Sequence, residues 1–165
     1  MRLPGHRSIF IVLVILVFAM TGIGFSLIGF DDPARFVVGR SSIDSASIER
    51  GRIGYETYCA SCHGMNLEGQ PDWKTPLPSG RLPAPPHDAS GHTWHHSDDI
   101  LASIILRGLK PFAGEGYESD MPAFEGVLSV DQVGDILAYI KNSWPERERG
   151  HQQQMTDKRG LQSSY

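Results

Sequence analysis

Hydrophobic and polar positions divide the chain into an apolar beginning, an amphipathic middle and a polar end. Ile9 to Phe30 is a run of 22 residues without a charge. At about 1.5 Å rise per residue, a helix of that length crosses a hydrocarbon core of roughly 30 Å. Arg2 and Arg7 precede the run and Asp31 and Asp32 follow it, an asymmetry that places the N-terminus in the cytoplasm and the remainder outside. A cleaved signal peptide would have a shorter apolar region and an Ala-x-Ala-like site. Neither Ala19-Met20-Thr21 nor Gly24-Phe25-Ser26 supplies one, so residues 1–30 are expected to be a retained membrane anchor, followed by a tether over 31–46.

Three helices are expected after the tether. Ser45 or Ser47 is a candidate N-cap, and Ile48, Gly51, Tyr55 and Tyr58 recur at helical spacing. Ser97 opens a second helix, with Asp98 and Asp99 in the first turn where the dipole favours acids, Ile100, Leu101, Ile104 and Ile105 on one face, and Gly108 as terminator. A third starts at a capping box, Ser129 with Gln132, buries Val133, Ile136, Leu137 and Ile140, and stops before Pro145. Residues 64–96 contain six prolines and residues 109–128 contain Gly114, Gly116, Gly126 and Met121-Pro122, so both stretches read as loop. From residue 145 the chain is polar with a Gln-Gln-Gln run, and 145–165 reads as a disordered tail. No run of buried strands occurs.

Composition changes this picture in two places. Residues 43–144 carry 7 basic and 14 acidic side chains, a balance that argues against nucleic acid as a partner and suits docking to a basic protein surface. Only two cysteines are present, too few for the disulfide framework of a small exported domain. They lie two residues apart in Cys59-Ala60-Ser61-Cys62-His63.

That pattern is the CxxCH of covalent haem attachment. Two thiols add across the two vinyl groups of the porphyrin, and the next residue is carried beneath the iron. His63 can then offer one imidazole nitrogen to the metal while the other donates to a carbonyl. Two other uses of a CxxC pair compete. A thioredoxin-like redox pair needs an α/β domain, and a zinc site drawing on His92 and His96 would span about twice the usual finger spacing.

Over residues 47–144 the sequence resembles the class I cytochrome c family, in its membrane-anchored bacterial type. Gly51 and Tyr55 stand eight and four residues before Cys59, as in that family, and Tyr139 beside Ile136 looks like the aromatic they pack against on the last helix. Asp120-Met121-Pro122-Ala123-Phe124 resembles the segment that brings the second axial ligand. The resemblance implies an all-α fold of three to four short helices wrapped around one covalent haem c, with Cys59, Cys62, His63 and Met121 as its binding residues. His63 would be the proximal and Met121 the distal iron ligand.

The implied function is single-electron transfer between respiratory redox partners such as an oxidase or a dehydrogenase. The protein would be a carrier and not an enzyme, single-pass in the bacterial inner membrane, with the haem domain on the periplasmic side. The alternative is a haem enzyme, or a gas- or metal-handling module, with an open or histidine-ligated sixth position. The segment from Pro83 to His96 departs from the simplest members of the family: His87, His92, His95 and His96 with Trp94 could line the haem edge, meet the propionates or bind a metal. Trp73, Arg81 and Trp94 are candidate propionate donors by residue chemistry.

Overall fold

A computed structural model describes residues 43–162. The expected membrane span and most of the tether lie outside these residues. Among the described residues no helix is long and apolar enough to cross a membrane.

The described chain is helical, with no strand. Helix α1 runs Ser45–Tyr58, and a single turn, α2, follows over Ala60–His63. A 3₁₀ turn covers Thr93–His95, α3 is Asp98–Arg107, α4 is one turn at Lys110–Ala113, α5 is Val130–Asn142 and α6 is Glu146–Gln162.

The cap of α1 is Asp44, one residue before the expected Ser45. Its carboxylate accepts the Ser47 N–H at 2.7 Å while the Ser47 hydroxyl accepts the Asp44 N–H at 3.2 Å. Ser47 is thus the reciprocal partner in the box, three residues in. The box at Ser129 forms as expected, with Gln132 N–H donating to the Ser129 hydroxyl at 3.2 Å and Ser129 N–H to Gln132 Oε1 at 2.9 Å.

Helices α1 and α5 cross tightly, and Gly51 makes the crossing possible. A Cβ built there would sit 1.9 Å from the Asp135 carbonyl oxygen and 3.0 Å from Tyr139 Cβ, so only a residue without a side chain lets the backbones meet. One turn later Tyr55, wholly buried, lies against Tyr139 with ring centres 5.4 Å apart, and a Cβ at Gly54 would meet Ile136. The Arg50 guanidinium grips the Asp135 carboxylate through Nε at 2.7 Å and Nη2 at 2.9 Å.

The core joins these helices to α3 through Leu101, Ala102, Leu106, Val133, Ile136, Leu137 and Ile140. The buried face of α3 is shifted from the expected one: Leu101 is buried and Ile105 packs partly buried against the core, but Ala102 and Leu106 take the buried positions expected of Ile100 and Ile104. Four apolar residues in six positions make a stripe too wide for periodicity to locate its centre.

The disordered tail expected over 145–165 is corrected by α6. It docks through polar side chains and the His151 ring, which is why hydrophobic patterning does not show it. Gln152 is fully buried, and its Nε2 donates to Asp98 Oδ1 at 2.6 Å and reaches the His96 carbonyl at 3.2 Å. Asp98 N–H donates to the Thr156 hydroxyl at 3.1 Å, and Arg159 pairs with Asp99 at 3.0 Å. Lys141 of α5 completes the cluster with both Asp98 oxygens at 2.9 Å. A polar helix therefore straps the start of α3.

Candidate haem-binding site

The attachment motif is one helical turn. Cys59 ends α1 and begins α2, and its carbonyl accepts the N–H groups of Cys62 at 3.1 Å and His63 at 2.9 Å. No disulfide joins the two cysteines, of which Cys59 is partly buried and Cys62 exposed. Burial, then the neighbouring Cys62, pushes the Cys59 thiol up to about 11. A thioredoxin-like pair would need an α/β domain, and the described residues contain no strand. Among the described residues no group of three or more His, Cys, Asp or Glu side chains is placed to hold a metal ion, the His92/His96 combination included.

Gly64, at φ +82°, breaks the helix after His63, and its carbonyl accepts the Tyr55 hydroxyl at 2.9 Å. The chain then runs beside a later part of the Pro-rich loop. Gln70 N–H donates to the Ala84 carbonyl at 2.9 Å and His87 N–H to the Leu67 carbonyl at 2.7 Å. A Cβ at Gly69 would lie 2.4 Å from the Pro86 nitrogen. This pairing delivers the Pro85 carbonyl to His63 Nδ1 at 2.8 Å. His63 Nδ1 therefore carries the proton and Nε2 keeps a lone pair, the tautomer a metal ligand needs. Burial lowers the proton affinity of His63 and the Pro85 bond partly restores it.

His87 lies on His63, ring centres 4.0 Å apart and planes 25° from parallel. Its Nδ1 is 2.9 Å from the Thr93 hydroxyl and its carbonyl accepts the Trp144 indole N–H at 2.7 Å. Burial above all, and then His63, holds its proton affinity well down. Of the other loop histidines, His92 lies over Trp73 at 5.5 Å and His95 on Trp94 at 3.7 Å. His151 of α6 meets both Trp94 and His95 edge-on. Sequence patterning does not single out His151 or Trp144, because both come into play only through chain folding.

Met121 is half-buried in the loop before α5, with its N–H on the Ser119 hydroxyl at 3.1 Å. That loop is tied on two sides. Phe124 and Glu125 donate their N–H groups to the Ile105 and Leu106 carbonyls at 3.1 and 2.9 Å. Arg81 reaches Asp120 at 2.6 Å and Glu118 at 3.1 Å. Phe124 also meets Tyr58, the residue before Cys59, ring centres 6.0 Å apart.

These residues fit a covalently attached haem. Two cysteines not joined in a disulfide flank one turn, and an imidazole with its far nitrogen available follows them. Trp94 Nε1 is buried without a hydrogen-bond partner among the described residues. A donor shut away from water in that state is suited to an anionic oxygen such as that of a propionate. Arg81, the other propionate candidate with a charge, is already engaged by two carboxylates, and Trp73 carries Lys74 Nζ 4.9 Å above its ring.

Comparison with known proteins agrees with the geometry. Residues 48–144 match the cytochrome c family. The chain is 28% identical over 115 residues to cytochrome c-555 of Prosthecochloris aestuarii, covering 64% of this chain and 96% of that one. No solved structure matches. The motif turn, the Pro85-bound histidine and the family match over most of the described domain lead to one conclusion: this chain belongs to the cytochrome c family, and its cofactor is haem c bound covalently through the CxxCH motif.

Proposed function

We propose that the protein is a membrane-anchored mono-haem electron carrier in which His63 and Met121 are the axial iron ligands. The observation that carries the reading is the 2.8 Å contact of His63 Nδ1 with the Pro85 carbonyl, which leaves Nε2 as the ligating nitrogen. The haem supplies a one-electron couple, and its potential depends on axial ligand type and burial. Cys59 and Cys62 hold the group against loss. His63 gives it a fixed nitrogen donor, and Met121 offers a thioether, a soft ligand that favours the ferrous state. With both positions filled, no site remains for a substrate, and transfer occurs at the haem edge.

The anchor is Ile9–Phe30, and Arg2 and Arg7 before it with Asp31 and Asp32 after it support a haem domain on the periplasmic side of a bacterial inner membrane. The net acidic domain suits a redox protein with a basic docking face, such as an oxidase or a dehydrogenase.

The test is the optical spectrum with carbon monoxide. Wild-type ferric protein is expected to show the long-wavelength thioether–iron band, and the ferrous form to bind carbon monoxide slowly. Met121→Ala should lose the band and bind the gas readily, with haem still attached on a denaturing gel. Rapid carbon monoxide binding by the wild type, unchanged in Met121→Ala, would leave the iron open and turn the reading to a haem enzyme or gas-binding module.

A further inference from the structure

We propose that His87 is a positioning residue for His63: its ring, packed face to face on the imidazole of the ligand, fixes the tilt of that imidazole and stabilises positive charge shared with the iron. The inference rests on the reading of His63 as an iron ligand.

His63 makes one side-chain hydrogen bond, through Nδ1 to Pro85. That bond holds one edge of the ring and leaves its face without support. The missing constraint is a flat surface against the ring face, and His87 provides it at 4.0 Å. His87 is itself held on several sides. Its N–H is bound to Leu67, its carbonyl to Trp144, its Nδ1 to the buried Thr93, and the Tyr55 ring meets it edge-on at 6.1 Å. Trp144, at 1% exposure, is among the most buried side chains of the domain. His87 is therefore a rigid wall, built from four separate parts of the chain.

The stacking also decides which side of the haem His87 serves. Rings at this separation leave no room for a macrocycle between them, so His87 lies with His63 and is not an opposing ligand. The face of an aromatic ring attracts positive charge. The iron and its ligand carry one more positive charge when ferric, so the face favours that state and lowers the potential. Groups around a metal-bound histidine orient the ligand and so tune the metal.

The experiment uses the full-length haem protein with His87→Leu, His87→Phe and Thr93→Val. Reduction potentials and the hyperfine-shifted ring resonances of the ferric haem are measured for each. His87→Leu removes the flat face and is expected to raise the potential and change the pattern of shifts, while the thioether band persists. His87→Phe keeps a flat face and should restore the wild-type pattern. Thr93→Val frees the wall to turn and should fall between them. The inference is overturned if His87→Leu matches the wild type in both measurements, or if His87→Phe departs as far as His87→Leu. If His87→Leu yields no folded protein, an unchanged shift pattern in Thr93→Val overturns it instead. A wild-type spectrum without histidine–iron ligation removes the assignment of His63, a separate failure visible before any variant is made.

Discussion

Arg81 holds Asp120 through a 2.6 Å contact, so a residue of the Pro-rich loop is fastened to the one immediately before Met121. The same guanidinium reaches Glu118 at 3.1 Å. All three side chains are well exposed, and an exposed pair contributes only about 0–1 kcal/mol to stability. Its effect is expected where it acts, on the loop. Arg81→Ala should leave the melting temperature nearly unchanged but speed carbon monoxide binding to the ferrous protein. In the wild type the same acceleration should appear as salt is raised, since screening weakens exposed charge pairs. A rate independent of both salt and Arg81 would separate the clamp from Met121.

Gly51 predicts a larger effect. An added methyl would lie 1.9 Å from the Asp135 carbonyl, and backbone cannot swing aside as a side chain can. Gly51→Ala should force α1 and α5 apart and destabilise by about 1–3 kcal/mol, the usual range for overpacking. Denaturant unfolding measures it. Gly150, with open space around a Cβ, is the matched control, and Gly150→Ala should be neutral or slightly stabilising because alanine favours helix.

Gln152 tests the polar strap. Replacing it with Ala takes a donor from the His96 carbonyl, while Asp98 Oδ1 keeps the Lys141 ammonium. Unsatisfied buried acceptors cost about 1–3 kcal/mol. The loss should show first as faster amide exchange along α6 and only then in global unfolding. Equal protection of α6 in wild type and variant would mean that other contacts hold the helix.

The histidine loop makes stability depend on pH. Burial first, and then neighbouring imidazoles, lower the proton affinity of His96; for His92 the causes are burial, His95 and Lys74. Their folded values lie below the unfolded value of about 6.5, so at and below that pH the unfolded chain binds more protons. The stabilisation is complete above about 6.5 and is lost as pH falls through the folded values. Urea midpoints should therefore drop on acidification through that range. His96→Gln should flatten the drop, and an unaltered profile in that variant would count against the loop as its source.

What was legible in the sequence follows from local physical chemistry. The cap at Ser129 with Gln132, the stop at Gly108, the haem motif and the register of Gly51 and Tyr55 ahead of Cys59 all depend on residues a few positions apart. Such spacings survive folding unchanged. The pairing of Gly51 and Tyr55 with Tyr139 was also readable, through resemblance to a family and not through spacing.

Tertiary structure alone decided the surroundings of the haem motif and the fate of the polar end. That Pro85 meets His63, that His87 stacks on it and that Trp144 holds His87 depend on where the loop of residues 64–96 returns, and loops carry no periodic signal. Helix α6 was hidden for a related reason. Hydrophobic patterning detects burial by apolar side chains, whereas α6 is docked by Gln152, Thr156 and Arg159 on Asp98, Asp99 and the His96 carbonyl. A polar residue reads as solvent-facing until the fold supplies the partner that lets it be buried.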